Sequence, residues 1–178
     1  TRAEHGDVDG IVLHFLRRSV KGSRKPSPGY VGSAACMGCH TEPEHGNPSV
    51  TWMRSRHGHA YWRLAADWAL FLAGLRPHYA DLEDPITDDR CLLCHVNGRQ
   101  DDDALFAKSY RREDGVGCEA CHGPGSLYVE PEVMTDRDAF LANGGRIPDE
   151  ATCRSCHRRS EQFTWDEMWP KIAHGSEE

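Results

Sequence analysis

Apolar positions after the first quarter of the chain recur at the spacing of an α-helix. Steps of three or four residues gather one face, made of Met53, His57, Tyr61, Leu64, Trp68 and Leu72. Asn47 and Pro48 are typical of a helix N-cap and first turn, and Gly74 of a stop. The sequence therefore predicts one helix from Pro48 to about Ala73. His59 lies roughly 200° around this helix from His57, so the two imidazoles face different surroundings.

A second helix is predicted near the C-terminus. Thr164 and Glu167 have the spacing of a capping box. Pro170 argues against an early start, so we expect the helix to begin near Asp166 and to end close to His174. The 17 Gly and 10 Pro residues are spread along the chain and favour loops over long regular elements. The predicted fold class is mainly α with much irregular loop.

The chain divides into two parts at a polar segment. Lys21–Gly29 contains Pro and Gly and is typical of a linker, which separates an N-terminal arm (1–30) from a domain (31–178). The longest unbroken apolar run is Trp68–Ala73, far too short to cross a membrane. The chain starts without the basic and apolar regions of an export signal, so we expect any such signal to have been removed.

Charge and hydropathy exclude one class of partner and limit the core. The formal net charge is -7, with 21 basic and 28 acidic side chains, and no basic stripe indicates a nucleic-acid partner. Apolar residues make up 38% of the chain and the mean hydropathy is -0.67. This is a poor supply for a core made of protein alone, so we expect another group to fill the interior.

Every cysteine of the chain belongs to a CxxCH motif. The four motifs, CMGCH, CLLCH, CEACH and CRSCH, use the pairs Cys36/Cys39, Cys91/Cys94, Cys118/Cys121 and Cys153/Cys156. The histidines that follow are His40, His95, His122 and His157. Two thiols at this spacing add across the two vinyl groups of one haem, and the adjacent His becomes the proximal iron ligand. The sequence therefore predicts four haem c groups.

Other uses of paired cysteines fit the pattern less well. Disulfides do not require His after each pair, and zinc sites of four ligands would leave Cys or His surplus. A thioredoxin-like redox motif needs one CxxC on a βαβ unit rather than four scattered ones. Covalent haem attachment takes place outside the cytoplasm, so we expect an exported protein, periplasmic or extracellular.

Four haems in this length must share one interior. The chain has one haem for about every 45 residues, which is too few for each haem to have its own domain. We therefore expect the haems to form the core and to lie close enough to exchange electrons. Arginines near the motifs are candidate partners for the haem propionates: Arg111, Arg112, Arg154, Arg158 and Arg159.

Seven further histidines can supply second iron ligands. Their number is sufficient for bis-His ligation at every site, and His5 and His45 are among them. The candidate ligands that we select are His57, His174, His59, His78 and His14.

The motifs resemble those of a known family. The run GVGCEACHGPG (Gly115–Gly125), with CLLCHVNG before it and SRHGHA after the first motif, resembles the tetrahaem cytochrome c family. That family includes the electron carrier paired with hydroxylamine oxidation, and the chain is also similar to extracellular tetrahaem cytochromes that polymerise into conductive filaments. The resemblance implies that His57, five residues after Trp52, ligates the third haem. It also implies that His174, after the DEM run, ligates the first.

The chain departs from this pattern after the third motif. In the carrier the second haem lacks a second His, and the fourth haem takes one shortly after CHGPG. Residues 126–147 contain no His here, so the fourth haem needs a ligand from elsewhere or stays open. The stretch Ile11–Leu16 of the arm carries His14 and could dock on a neighbouring subunit, as in filament-forming relatives. The alternative is that the stretch packs on its own domain.

Three functions remain in competition. The first is electron transfer between redox partner proteins or to extracellular acceptors, with a homo-polymer formed through the arm as a special case. The second is a redox enzyme, in which one five-coordinate haem reduces a small nitrogen or sulfur species. The third is a haem-bearing subunit of a larger respiratory complex. No separate catalytic motif is found, so electron transfer without enzymatic activity is the leading hypothesis.

Overall fold

Short helices joined by loops form most of the chain. The computed structural model describes residues 26–43, 46–99, 105–158 and 162–174. In these ranges the α-helices are α1 Ser33–Met37, α2 Pro48–Arg54, α3 Ala60–Leu64, α4 Asp67–Gly74, α5 Asp89–His95, α6 Cys118–His122, α7 Pro131–Met134, α8 Arg137–Ala142, α9 Glu150–His157 and α10 Trp165–Met168. Short 3₁₀ helices lie at Pro77–Tyr79, Arg112–Asp114, Gly125–Leu127 and Trp169–Lys171. The predicted mainly α fold with much irregular loop is confirmed.

A small parallel sheet ties the start of the described chain to its middle. Strands β1 (Gly29–Tyr30) and β2 (Leu105–Phe106) pair with Tyr30 opposite Phe106, and the two rings stack with centroids 5.6 Å apart. The last residues of the predicted linker are therefore packed into the folded unit. Residues 1–25 of the predicted arm, and with them His5 and His14, lie outside the described residues.

The prediction of a single long helix after the first motif is wrong, because the chain forms α2, α3 and α4 in its place. The predicted ends are confirmed, since α2 begins at Pro48 after the N-cap Asn47 and α4 ends at Gly74. The predicted apolar face is interrupted as a result. Leu64 is buried, whereas the Trp68 side chain is 44% exposed.

The first interruption follows α2 and contains His57. The Ser55 N–H donates to the Trp52 carbonyl at 2.9 Å and closes the last turn of α2. The Ser55 hydroxyl then accepts the N–H of His57 at 3.2 Å, which turns the backbone away from the helix axis. A serine that bonds its own neighbouring backbone competes with helix formation. The periodicity of the apolar positions cannot detect this local competition.

The interrupted segment is fixed against the loop that precedes α6. The indole N–H of Trp52 donates to the Val116 carbonyl at 2.9 Å, and the Val116 N–H donates to the His57 carbonyl at 3.0 Å. Gly115 makes this approach possible, because its φ is +69° and a Cβ there would lie 2.7 Å from the His57 carbonyl oxygen. The position of His57 therefore depends on residues about sixty positions further along the chain.

The predicted C-terminal helix exists but is shorter and starts earlier than expected. α10 begins at Trp165, with Thr164 as N-cap residue, and no side-chain capping bond is present at Thr164. The predicted capping box is therefore wrong. Pro170 lies within the 3₁₀ helix Trp169–Lys171 that follows, and His174 comes after both elements.

The protein's own core is small, in agreement with the composition. One buried cluster combines Tyr61, Leu64, Leu92 and Val96, and another joins Val31 to Ala107. The apolar helix α4 has no buried residue, and its Phe71 side chain is 67% exposed. None of the helices in the described ranges has both the length and the apolar character needed to span a bilayer.

We predict that Gly115→Ala lowers the free energy of unfolding by about 1–2 kcal/mol or more, because an L side chain is strained at positive φ and here meets a backbone oxygen. Gly74→Ala is the matched control. Nothing lies within 4 Å of a Cβ at residue 74, so helix propensity makes that change neutral or stabilising. Denaturant unfolding of the haem-loaded proteins measures both, and equal stability of the two variants would contradict the role given to Gly115.

Candidate haem sites

Each CxxCH motif occupies one helical turn. The second, third and fourth motifs lie in α5, α6 and α9. At the first motif α1 ends at Met37, but the His40 N–H donates to the Cys36 carbonyl at 3.1 Å and continues the turn. Positions i, i+3 and i+4 of a helix share one face. Each turn therefore presents two thiols and one imidazole to the same side, as the attachment of one haem requires.

Cys39 of the first motif differs from the other attachment cysteines in its exposure. It is exposed, whereas the other seven cysteines are partly buried. The physical reason is that α1 ends before it, so Cys39 lies in the turn after the helix, where its N–H donates to the Cys36 carbonyl at 3.2 Å. The first motif therefore reaches the surface at Cys39.

Attachment thiols of different motifs lie next to each other. A hydrogen bond joins the thiols of Cys36 and Cys118, and it raises the pKa of Cys36 and lowers that of Cys118. A second hydrogen bond joins Cys94 and Cys156 and raises the pKa of the Cys94 thiol. The first motif therefore lies beside the third, and the second beside the fourth.

The two pairs of motifs also lie near each other. Burial raises the pKa of the Cys121 thiol in the third motif to about 11, and the nearby Cys153 of the fourth motif adds to the shift. The four motifs consequently follow one another in space in the order first, third, fourth, second. This order differs from the order along the chain.

The ring of His57 lies beside the fourth motif. Its centroid is 6.1 Å from that of His157, with the ring planes 71° apart. Burial lowers the pKa of His57, and the neighbouring His157 lowers it further. Both effects favour the neutral imidazole, which is the form that binds a metal. On its other side the His157 ring stacks on the buried Phe163, with centroids 4.9 Å apart.

The ring of His174 lies beside the third motif. Its centroid is 5.8 Å from that of His122, with the ring planes 53° apart. Burial lowers the pKa of His122, and His174 and His40 contribute in the same direction. The first and third motifs are therefore close enough for their histidines to interact.

The two histidine pairs have the spacing that one iron atom needs. A metal ion lies about 2 Å from each imidazole nitrogen, and each ring centroid lies about 1 Å further out, so shared ligation sets the centroids about 6 Å apart. The measured 6.1 and 5.8 Å agree with this value. The residues therefore fit bis-His haem at the third and fourth motifs. No group of three or more candidate metal-ligating side chains is found in the described ranges.

Backbone carbonyls orient several of these rings through Nδ1. His95 Nδ1 lies 2.7 Å from the Ala60 carbonyl, and His174 Nδ1 lies 2.8 Å from the Ile172 carbonyl. A donated Nδ1–H fixes the tautomer that leaves Nε2 free to bind a metal. The corresponding distance from His122 to the Arg146 carbonyl is 3.3 Å.

A cavity of about 480 Å³ opens beside the second motif. Its apolar wall comes from α4 and the loop after it, and Cys91, Cys94 and His95 form one side. Polar groups reach it from Arg76, Tyr79 and Arg90. In the described chain, His95 is the one histidine that lines this cavity. The exposed apolar residues of α4 are explained in part, since Leu72 faces this cavity.

The remaining candidate ligands lie apart from the paired rings. His78 is exposed, its ring lies against Tyr79 with centroids 4.1 Å apart, and its carbonyl accepts a hydrogen bond from Arg90. His59 is also exposed, and its Nδ1 lies 2.9 Å from the Ser55 carbonyl. His14 and His45 lie outside the described residues. The structure therefore brings His57 and His174, but neither His59 nor His78, against a motif histidine.

The resemblance implied a different pairing from the one found. It assigned His57 to the third haem and His174 to the first, whereas their rings lie beside the fourth and third motifs. The break after α2 turns His57 toward His157, so the fourth motif has a neighbouring imidazole despite the missing His after CHGPG. Sequence reasoning missed Val116 and Gly115, which hold this segment; the positive-φ glycine before the third motif was the available signal.

The comparison with known families agrees with this geometry. Residues 35–123 match the family described as cytochrome c554 and c-prime, a span that includes the first three CxxCH motifs and half of the chain. No curated protein and no solved structure matches the chain. With its helical CxxCH turns and paired histidines, the chain belongs to the cytochrome c554 and c-prime family of multihaem c-type cytochromes.

Proposed function

We propose that the chain transfers electrons through four covalently bound haem c groups that share one interior. As a member of a c-type cytochrome family it binds haem and takes part in electron transfer. The number four is supported by the four CxxCH motifs, whose attachment thiols lie near one another. When bound, haem iron supplies a one-electron change between two oxidation states.

The order of the motifs in space suggests the route. Neighbouring thiols connect the first motif to the third, the third to the fourth, and the fourth to the second. We infer that electrons pass along the sites in this order. The first and second motifs are then the two ends, where redox partner proteins or extracellular acceptors exchange electrons with the chain, and the exposed Cys39 supports this position for the first. This role places the protein outside the cytoplasm, in the periplasm or the extracellular space.

The protein's contribution is to fix the iron ligands. His122 with His174, and His157 with His57, would hold iron at the third and fourth motifs. Two imidazoles on one iron keep its coordination the same in both oxidation states, which suits repeated electron transfer. For the second iron ligand at the first motif we propose His14 of the N-terminal arm.

A second candidate function rests on the cavity beside the second motif. Cys91, Cys94 and His95 line that cavity, so it is the space that a haem at the second motif would take, and no second histidine of the described chain reaches it. Arg76 and Arg90 on its wall could attract an anionic species to this site. Asp81 and Asp88 already pair with Arg90, which leaves Arg76 as the less compensated cation. A redox enzyme that reduces a small nitrogen or sulfur species at one open haem is the function that this observation favours.

We predict that His57→Ala converts one additional haem from low spin to high spin, because the fourth motif loses its second imidazole. His59→Ala is the matched control, since His59 is two residues away and exposed, and its Nδ1 lies 2.9 Å from the Ser55 carbonyl. Electron paramagnetic resonance and the visible spectrum of the oxidised proteins distinguish the two variants. An unchanged low-spin spectrum in His57→Ala would show that another residue ligates the fourth haem.

We predict that the wild-type protein binds cyanide rapidly at one haem, the haem of the second motif, because no other histidine of the described chain lines its cavity. His78→Ala should leave the number of cyanide-binding haems unchanged. A rise by one in that variant would mean that His78 is an iron ligand after all. Titration followed in the Soret band measures the stoichiometry, and a wild-type protein inert to cyanide would reject the enzymatic alternative.

We predict that His14→Ala opens one further haem if the N-terminal arm supplies a ligand. Loss of large assemblies in the same variant, and on removal of residues 1–20, is the expected result for a filament in which a neighbouring subunit provides His14. His5→Ala serves as the control within the same arm. Light scattering and electron microscopy report assembly, and a strictly monomeric wild-type protein with six-coordinate iron at the first motif would rule out the polymer.

A further inference from the structure

A buried carboxylate lies where the first and third motifs meet, and neither haem attachment nor iron ligation uses it. Glu119 follows Cys118 in the third motif, and its side chain is 0% exposed. Oε2 of its carboxylate accepts the Gly32 N–H at 2.8 Å, and the carbonyl oxygen of the same Gly32 lies 4.0 Å from Cys36 Sγ. The charge of Glu119 acts on the thiols of Cys36 and Cys118 in the direction that raises their pKa values. The same carboxylate is therefore close to the attachment points of two haems.

The contacts of Glu119 are those of an ionised carboxylate. Oε1 accepts the N–H groups of Val31 at 2.8 Å and Gly125 at 2.7 Å, and Oε2 accepts that of Gly32 at 2.8 Å. All three partners are donors, and hydrogen bonds to the charged form stabilise it. Burial raises the pKa of Glu119, and these three N–H groups oppose that shift. Close approach requires Gly125, since a Cβ there would lie 3.1 Å from Oε1.

We propose that Glu119 is an internal anion that lowers the reduction potentials of the haems at the first and third motifs. The inference deepens the proposed electron-transfer function and rests on it. Reduction transfers one electron from a donor protein to iron, so the site gains one negative charge and no bond is made or broken. A fixed anion nearby in a medium of low dielectric constant opposes that gain.

The neighbourhood of Cys36 supports a local effect. Asp114 lies on the same side and also acts on the Cys36 thiol, and its carboxylate accepts the Ser33 N–H at 3.2 Å. At the third motif Arg146 opposes the acidic groups, because its charge lowers the pKa of Cys121. We therefore expect the influence of Glu119 to be larger at the first haem than at the third.

The test replaces the charge while keeping most of the contacts. In Glu119→Gln the amide oxygen can still accept from Val31 and Gly125, which share one carboxylate oxygen. Glu132→Gln is the control, since it removes the same charge from an exposed position in α7. Spectroelectrochemical titration measures the potential of each haem, and the third haem is identified as the one whose signal changes in His174→Ala.

We expect Glu119→Gln to favour reduction of the first haem about tenfold, which is about 59 mV for a one-electron couple, with a smaller shift in the third haem. If Glu119→Gln has the same haem potentials as Glu132→Gln but is less stable, the role of Glu119 is only structural and the proposal is overturned. If Glu119→Gln does not fold, Asp114→Asn should shift the first haem in the same direction, and no shift there would also overturn it. Slow exchange between haems would reject the relay but leave these differences in potential intact.

Discussion

The helical turn that carries each CxxCH motif is the constraint on which the rest of the structure depends. It points two thiols and one imidazole to a single side, so that the backbone of each turn fixes the plane and the proximal ligand of one haem. The chain has few buried apolar residues of its own, and Tyr61, Leu64, Leu92 and Val96 form its larger cluster. A haem attached to each turn would add apolar surface that the chain itself lacks. Under that proposal covalent attachment and folding are coupled, because the same turns would hold the groups that complete the core.

The histidines that lie beside the third and fourth motif histidines come from irregular backbone. His57 lies in the break after α2 and His174 follows the last 3₁₀ helix, where the backbone can aim a ring at a motif that is distant in sequence. A continuous helix through His57 would have set the direction of the ring by helical periodicity alone. Because the helix breaks there, the direction of the ring is set instead by the bonds of Trp52 and His57 to Val116, in the loop before the third motif. Placement of an iron ligand for the fourth motif thus depends on folding around the third.

Local patterns were predictable and long-range ones were not. The motifs, the mainly α character, the start at Pro48 and the end at Gly74 follow from spacing and from backbone preferences of individual residues. The interruption after Arg54 was missed because apolar periodicity shows neither of the bonds that hold it. One is the local bond from the His57 N–H to the Ser55 hydroxyl, and the other joins Trp52 to Val116, which are 64 positions apart. The closeness of the His57 and His157 rings was missed because it also depends on contacts distant in sequence, and the ligation of the third haem by His57 that the resemblance implies stays a prediction. A single sequence shows which imidazoles exist, whereas the fold decides which of them meet.

The acidic and basic groups around the motifs are distributed unevenly, and this bears on the proposed transfer of electrons between them. Glu119 and Asp114 lie near the first motif, whereas Arg76 and Arg90 line the cavity of the second, at the other end of the spatial order. Negative surroundings disfavour the added electron and positive surroundings favour it, because reduction makes the site more negative by one charge. At the second motif Asp81 and Asp88 pair with Arg90, so Arg76 is the less compensated of the two cations there. The contrast between the two ends therefore depends mainly on Glu119, because its charge is buried whereas Arg76 is exposed and screened by solvent.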